Sequence, residues 1–310
     1  MIGELCRADS VAEKRIFFIE TSGQKCLRPR QACAVESAAI TNPNMSIYVY
    51  MSLKPPPGIP EVDDGEGLER HCHTMDVIRK LPNVQVIYED LMKHFVGTPL
   101  EKLVVNGTFE KSRFAYQHMG DALRIAMLHK YGGIYLDLDV VVLRSLSCLR
   151  NTVGQVVSWG KSGIENGILI FDKGHQLLTF FMRLMTQIYD PNYRETIGPT
   201  GFLQAVRVYC NFPEGNFDEF GQFFVCHNNW NITVLYIQAF FPIQFLERPR
   251  YFAENFPLSE LNNFQTSYAA HVYDSGHGAR VPESSLYAFI SQRFCPAIYS
   301  ASKVSHIYNF

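Results

Sequence analysis

Two carboxylates at the end of an otherwise apolar run constrain this chain more than any other feature. Residues 131–143 read YGGIYLDLDVVVL. A carboxylate on a buried strand costs several kcal/mol unless a metal or a basic partner offsets its charge. Asp137 and Asp139 make that demand twice, two residues apart. Side chains of an extended strand alternate faces, so Tyr135, Asp137 and Asp139 share one side, and Ile134, Leu136 and Leu138 share the other. The stretch is either a metal site that handles phosphate or an unusually polar piece of core. Two hard oxygen ligands suit Mg²⁺ or Mn²⁺ held jointly with substrate phosphates. By itself, Asp-x-Asp is a triplet that arises by chance. Its setting, Gly132-Gly133 followed by an apolar strand, makes it specific.

The preceding segment, GDALRIAMLHKYGG (120–133), reads as a helix with Asp121 as its cap and the glycine pair as its stop. Asp121 and Arg124, three apart, lie on one face of it. They are either a cap and a surface ion pair, or a pair aimed at the polar face of the strand, Arg124 for phosphate and Asp121 for sugar hydroxyls. Spacing leaves both open.

Upstream, strands at 15–21, 46–53 and 83–89 alternate with helical stretches at 33–40 and 67–81. This βαβαβ order predicts an α/β fold with a parallel sheet and ligand space at the strand ends. Downstream come strands at QVVSW and GILIFD, a helix over 175–189, the turn IGPTG entering the helix FLQAVRVYC, a strand at YAAHVYDSG (268–276) and a helix at ESSLYAFISQRFC (283–295). No linker interrupts this order, which predicts one compact domain with a second lobe grown onto it.

The 28 basic and 30 acidic residues nearly cancel, which argues against a nucleic-acid partner bound through phosphate neutralisation. A 47% hydrophobic content excludes disorder. No stretch is long and apolar enough to span a membrane, and residues 1–15 lack the apolar core of a signal peptide. Eight cysteines without a CxxC pair, together with sequons at Asn44, Asn106 and Asn231, point to an oxidising, lumenal compartment. Reduced core cysteines and chance sequons are the alternative. The HCH at 71–73 invites zinc, but adjacent ligands need distant partners that the sequence does not reveal. Cys72 is expected in a disulfide, with Cys33 as its suggested partner, and Cys210 with Cys226 in another.

The run GDALRIAMLHKYGGIYLDLDVVVL resembles the Asp-x-Asp glycosyltransferases, specifically the α-1,4-galactosyltransferase and α-1,4-N-acetylglucosaminyltransferase group. Further matches run from IFFIETSG through CAVESAA, PNVQVI, IGPTGFLQAV and YAAHVYDSG to RFCP. The resemblance implies a GT-A type fold, a Rossmann-like, mostly parallel sheet with an added C-terminal α+β lobe. It implies a stem remnant at 1–14, a nucleotide-sugar half at 15–160 and an acceptor half at 161–305. It further implies a Golgi-lumen enzyme that uses Mn²⁺ or Mg²⁺ to move galactose, N-acetylgalactosamine or N-acetylglucosamine from a UDP-sugar to a glycolipid or glycan acceptor with retention. The membrane anchor usual in the family has no counterpart here. A truncated piece, an incomplete gene reading and a soluble form are all compatible with that.

By the same resemblance, Asp139 is the metal ligand and Asp137 touches the ribose and the metal's water shell. Asp121 and Arg124 contact the donor sugar. Ile19, Glu20 and Thr21 line the uracil pocket, and Tyr135 shares the donor face. Asn166-Gly167 and Gly198-Pro199-Thr200 match donor-sugar segments, and His271 matches a histidine near the diphosphate and metal. From the residues alone, His271 is equally a satisfied strand histidine, Glu20 a polar strand end and Gly198-Pro199 a turn. No carboxylate nucleophile is evident, so departure and attack on one face are expected, with the leaving phosphate helping to deprotonate the acceptor. Trp159, Trp230 and Tyr273 are candidates for stacking on the acceptor, or for core packing. A haloacid-dehalogenase-type phosphatase also ends a strand in Asp-x-Asp, but its later acidic pair is missing after Asp139. A lumenal sugar-binding relative without turnover is the non-enzyme alternative.

Overall fold

The computed structural model describes residues 13–54, 72–158, 161–211, 223–226, 231–273 and 281–304. The chain opens as β1 (Arg15–Glu20), α1 (Pro29–Thr41), β2 (Ser46–Ser52), α2 (His73–Arg79) and β3 (Val84–Glu89). After a short helix, α3 (Glu101–Val105), come α4 (Ala115–Tyr131), β4 (Gly133–Leu136), β5 (Val140–Val142), β6 (Thr152–Ser158) and β7 (Lys161–Phe171). The remainder is α5 (Gln176–Ile188), α6 (Pro199–Cys210), β8 (Phe223–Cys226), β9 (Ile232–Leu235), β10 (Ala269–His271), α7 (Leu286–Phe294) and α8 (Pro296–Val304).

Eight strands form one sheet in the order β3-β2-β1-β4-β7-β6-β9-β8, and β5 pairs with β10 beside it. β3, β2, β1 and β4 are parallel; β7 and β8 run against their neighbours. The alternation along β1 shows why the sheet is covered on both sides. Ile16 and Phe18 pack into a core with α1, α7 and α8, while Phe17 and Ile19 pack into another with α4, α5 and α6. The mostly parallel α/β expectation therefore holds, with the GT-A type layering of helix, sheet and helix.

Three local expectations change. Helix α4 begins at Ala115, not at Asp121, which sits in mid-helix with a buried side chain rather than capping a terminus. Apolar residues such as Ala115 and Met119 bury against the core, so the helical period starts earlier than the cap residue implied. Second, β4 stops at Leu136 and β5 starts at Val140, so Asp137 to Asp139 form a turn closed by the Val140 amide on the Asp137 carbonyl at 3.1 Å. Third, Cys72 pairs with Cys26, and Cys33 pairs with Cys295; only the Cys210–Cys226 pairing is as expected. Helix α1 packs against α7 and α8, which carries Cys33 to Cys295 across 262 residues of sequence. With Cys72 oxidised, a zinc role for the 71–73 segment loses a ligand; His71 lies outside the described residues, as do Trp159 and Trp230. No helix among the described residues is long and apolar enough to cross a membrane.

Candidate active site

The site is built where α4 hands over to β4. Gly132 ends α4 with φ +66°, its amide on the Leu128 carbonyl, and Gly133 follows at φ +108°. A Cβ at Gly132 would lie 2.6 Å from the Lys173 nitrogen, and one at Gly133 would lie 2.7 Å from the Arg15 carbonyl. Glycine is thus required both by backbone conformation and by close approach to β1. The consequence is that α4 and β4 pack back to back, with Asp121 and Arg124 facing the end of the strand.

Arg124 is the hub. Its Nη1 donates to the Asn166 carbonyl at 2.9 Å and lies 3.2 Å from Asp137 Oδ1; Nη2 reaches Asp121 Oδ1 at 3.4 Å. Nε donates to the Gly120 carbonyl at 3.3 Å, and the guanidinium lies over the Tyr135 ring at 4.7 Å. The Tyr135 hydroxyl donates to Asp137, and the Asn166 side-chain amide donates to Asp121 at 2.9 Å. Burial alone would raise the Asp137 pKa. Arg124 first, then His271 and Tyr135, outweigh it and hold Asp137 below the usual carboxylate range. Asp121 is shifted the other way, because burial exceeds the help it receives from Arg124 and Asn166.

His271 arrives from the far end of the chain. β10 pairs antiparallel with β5 so that His271 sits opposite Val140, one residue after Asp139, and the Val272 amide donates to the Asp139 carbonyl at 3.0 Å. Its Nε2 lies 3.4 Å from Asp139 Oδ1 and 3.7 Å from Asp137 Oδ2. Burial works against its positive charge, but Asp139 and Asp137 more than compensate and raise its pKa. One ligand atom from each of Asp137, Asp139 and His271 falls within 4.8 Å of the others. Two hard carboxylate oxygens and an imidazole, partly open to solvent, fit a divalent cation that keeps free positions for substrate oxygens. Gly167 faces this cluster without a side chain: a Cβ there would meet Asp137 Oδ2 at 2.7 Å and His271 Nε2 at 2.9 Å.

A bulge in β7 aims Asn166 and Gly167 at the site. The register with β6 jumps from Val153↔Leu169 to Gly154↔Glu165, leaving 166–168 unpaired with β6. Gly198, at the N-terminus of α6, comes to the other side of the helix pair, where a Cβ would lie 2.7 Å from Asp121 Oδ2. Pro199 follows it, and the exposed Thr200 hydroxyl turns to Glu195 at 3.3 Å, away from the acidic cluster. Ile19 is buried in the core and Thr21 is half-buried at the end of β1. The Glu20 carboxylate closes the loop after β1 by accepting the Ser22 amide at 2.9 Å and the Gly23 amide at 3.2 Å, and burial raises its pKa. The structure thus gathers Asp121, Arg124, Tyr135, Asp137, Asp139, Asn166, Gly167, Gly198 and His271, and leaves Ile19, Glu20 and Thr21 at the neighbouring strand end.

Two residues escaped sequence reasoning. His118, one turn before Asp121, is fully buried; its Nε2 lies 3.2 and 3.0 Å from the Tyr193 and Arg194 carbonyls and its Nδ1 lies 3.0 Å from the Tyr189 hydroxyl, fastening the segment that leads to Gly198. Nothing local marked it. Glu165 is a carboxylate next to Asn166 whose pKa burial pushes up to about 7, with Asp137 adding to the shift and His271 opposing it. Its signal was legible, as a charge inside the apolar run GIENGILIF.

Residues 28–159 match the glycosyltransferase sugar-binding region containing the DXD motif, and residues 170–302 match the α-1,4-glycosyltransferase conserved region. The chain is 30% identical to the lactosylceramide 4-alpha-galactosyltransferase of Gorilla gorilla gorilla, over 94% of this chain and 85% of that one. It is 25% identical to the human alpha-1,4-N-acetylglucosaminyltransferase, over 92% and 79%. Among solved structures, the galactosyltransferase LgtC with donor and acceptor sugar analogs aligns over 92% of this chain and 95% of its own at 15% identity and a TM-score of 0.37. The PaToxG glycosyltransferase aligns over 67% and 73% at 17% identity and a TM-score of 0.46.

Proposed function

Since the chain belongs to the α-1,4-glycosyltransferase family with the DXD sugar-binding region, and so is a hexosyltransferase, we propose the following donor and acceptor. The donor is UDP-galactose, UDP-N-acetylgalactosamine or UDP-N-acetylglucosamine. The acceptor is a terminal galactose or N-acetylgalactosamine on a glycolipid or glycoprotein glycan, and the new linkage is α. The work takes place in the Golgi lumen, a reading supported by the disulfides and by the exposed sequon asparagines Asn44, Asn106 and Asn231.

The observation that carries this reading is the convergence of Asp137, Asp139 and His271 beside the half-buried Arg124. These three residues would hold a divalent ion, Mn²⁺ or Mg²⁺, which when bound offsets negative charge growing on a departing diphosphate. Arg124 spends most of its donors on Asp121, Asp137 and Asn166, so its work is to fix those groups in place as well as to add positive charge. Asp121 and Asn166 present oxygen and nitrogen atoms at the wall where Gly198 leaves room, positions suited to hold donor-sugar hydroxyls. Attack by the acceptor on the face the diphosphate leaves gives retention without a glycosyl-enzyme.

Incubating the protein and Mn²⁺ with each of the three donors and a panel of β-galactosides tests the assignment. Product carrying one added hexose or N-acetylhexosamine supports it. Tight UDP binding with no UDP release from any donor would instead identify a sugar-binding relative without turnover.

A further inference from the structure

We propose that His118 is a positioning residue for the donor sugar: it holds Gly198 against Asp121, and so sets the fit of the transferred hexose without touching it. The inference deepens the donor-sugar wall proposed above and rests on it. Three observations carry it. First, His118 is fully buried on α4, three residues before Asp121, so the two side chains leave the same face of the helix. Its Nε2 lies 3.2 Å from the Tyr193 carbonyl and 3.0 Å from the Arg194 carbonyl. Carbonyls only accept, so Nε2 carries the hydrogen and shares it between them. Nδ1 lies 3.0 Å from the Tyr189 hydroxyl and 2.9 Å from Ser112 Oγ, which donates to the Pro191 carbonyl at 3.0 Å. Directly or through Ser112, one imidazole thus grips the main chain of Pro191, Tyr193 and Arg194.

Second, the gripped segment is not placed by apolar burial. Residues 192–195 are exposed, Tyr193 by half of its surface. The segment instead closes on itself. Thr196 Oγ1 donates to the Ile188 carbonyl at 2.9 Å and accepts the Asp190 amide at 3.1 Å, and the Thr196 amide donates to the Tyr193 carbonyl at 3.2 Å. A loop closed in this way moves as one piece, and His118 ties that piece to α4.

Third, the piece ends at the site. Thr196 and Ile197 are buried, and Gly198 follows them. A Cβ at Gly198 would lie 2.7 Å from Asp121 Oδ2, and a Cβ at Gly201 would run into the Thr196 carbonyl. Little slack therefore separates the loop, the first turn of α6 and Asp121. Asp121 Oδ1 already accepts the Asn166 amide at 2.9 Å, so Oδ2 is the oxygen that faces this gap. A shift of the loop at Arg194 passes through Thr196 and Ile197 to Gly198 and changes the width of the wall. In the reading above, the diphosphate goes to the Asp137–Asp139–His271 cluster, whereas the hexose meets Asp121 and Gly198. Loosening His118 therefore weakens the donor through its sugar and leaves UDP alone.

The test compares wild type with His118→Leu, which fills the space without a donor, and His118→Gln, whose amide can still reach the two carbonyls. UDP with Mn²⁺ is the binding probe, and transfer is measured with the donor and β-galactoside that wild type uses. In His118→Leu, kcat/KM for the donor is expected to fall at least about tenfold while the Kd for UDP stays within about twofold of wild type. Trypsin should cut after the exposed Arg194 at least about fivefold faster. His118→Gln is expected to recover most of both properties. Wild-type donor kinetics in the Leu variant overturn the proposal. So does an equal loss of UDP and donor binding, which would make His118 part of the general scaffold. A Gln variant no better than Leu also overturns it, since the hydrogen shared with the carbonyls would then be irrelevant. If His118→Leu does not fold, Tyr189→Phe decides, because it removes only the hydroxyl facing Nδ1. The same selective loss is expected there in smaller degree, and unchanged donor kinetics and cleavage overturn the proposal. A wild type that binds UDP but transfers from no donor removes the reaction assigned to the site, a result distinct from all of these.

Discussion

At the scale of single residues, the site is defined as much by absent side chains as by charged ones. Gly167 leaves room for Asp137 and His271, and Gly198 for Asp121. Gly167→Ala would press a methyl group into the metal-ligand cluster, so transfer should fall at least about tenfold while the melting temperature shifts little. Wild-type kinetics in that variant would show that the cluster is looser than described. Much of this was legible before the fold was known. Asp137 and Asp139 stood out because an apolar setting makes a carboxylate conspicuous, and Asp121 and Arg124 because helical spacing placed them together. His271 was visible only through family resemblance, since a lone histidine in a half-apolar strand carries no distinguishing pattern. His118 was invisible for the same reason: its partners are main-chain carbonyls more than 70 residues away.

At the scale of elements, α4 and β4 read well because the signals are local: a helical period, a glycine pair, a run of apolar residues. The end of β4 did not, because Leu-Asp-Leu-Asp alternates in a strand and in a turn alike. Nor could the β7 bulge be anticipated, since it depends on register with β6. Helix α5 supplies a test of a different kind. His175 caps it, its Nδ1 accepting the Leu177 amide at 3.2 Å, and burial pushes its pKa down to about 4. In the native state it therefore stays neutral while the unfolded chain takes up a proton near pH 6.5. The unfolded state binds more protons between those values, so stability is full above about pH 6.5 and falls as pH drops towards 4, by at most about 3 kcal/mol. Denaturant titrations at pH 7.5 and 5 should show that loss in wild type. It should be smaller in His175→Asn, which can still cap the helix but takes up no proton. Equal losses would assign the pH sensitivity elsewhere.

At the scale of the whole molecule, helices α1 and α8 close the fold on one side of the sheet. Cys33 on α1 is bonded to Cys295, and the buried Glu36 accepts the Ala297 and Ile298 amides at the start of α8. Such long-range pairing follows from packing and not from spacing, which is why the expected Cys33–Cys72 link was incorrect. Because the closed loop is long, replacing Cys33 and Cys295 with serine should cost about 2–5 kcal/mol, read as a lower thermal midpoint. An unchanged midpoint would mean that α1 and α8 hold together without the bond. All of the chemistry rests on one claim, that a divalent ion at Asp139 is needed for sugar transfer. Transfer from a UDP-sugar to a β-galactoside should be supported by Mn²⁺, abolished by EDTA and restored by added metal, and Asp139→Asn should stay folded yet lose at least about 100-fold in rate in both conditions with metal present. Full transfer by Asp139→Asn, or by wild type in EDTA, would contradict the account.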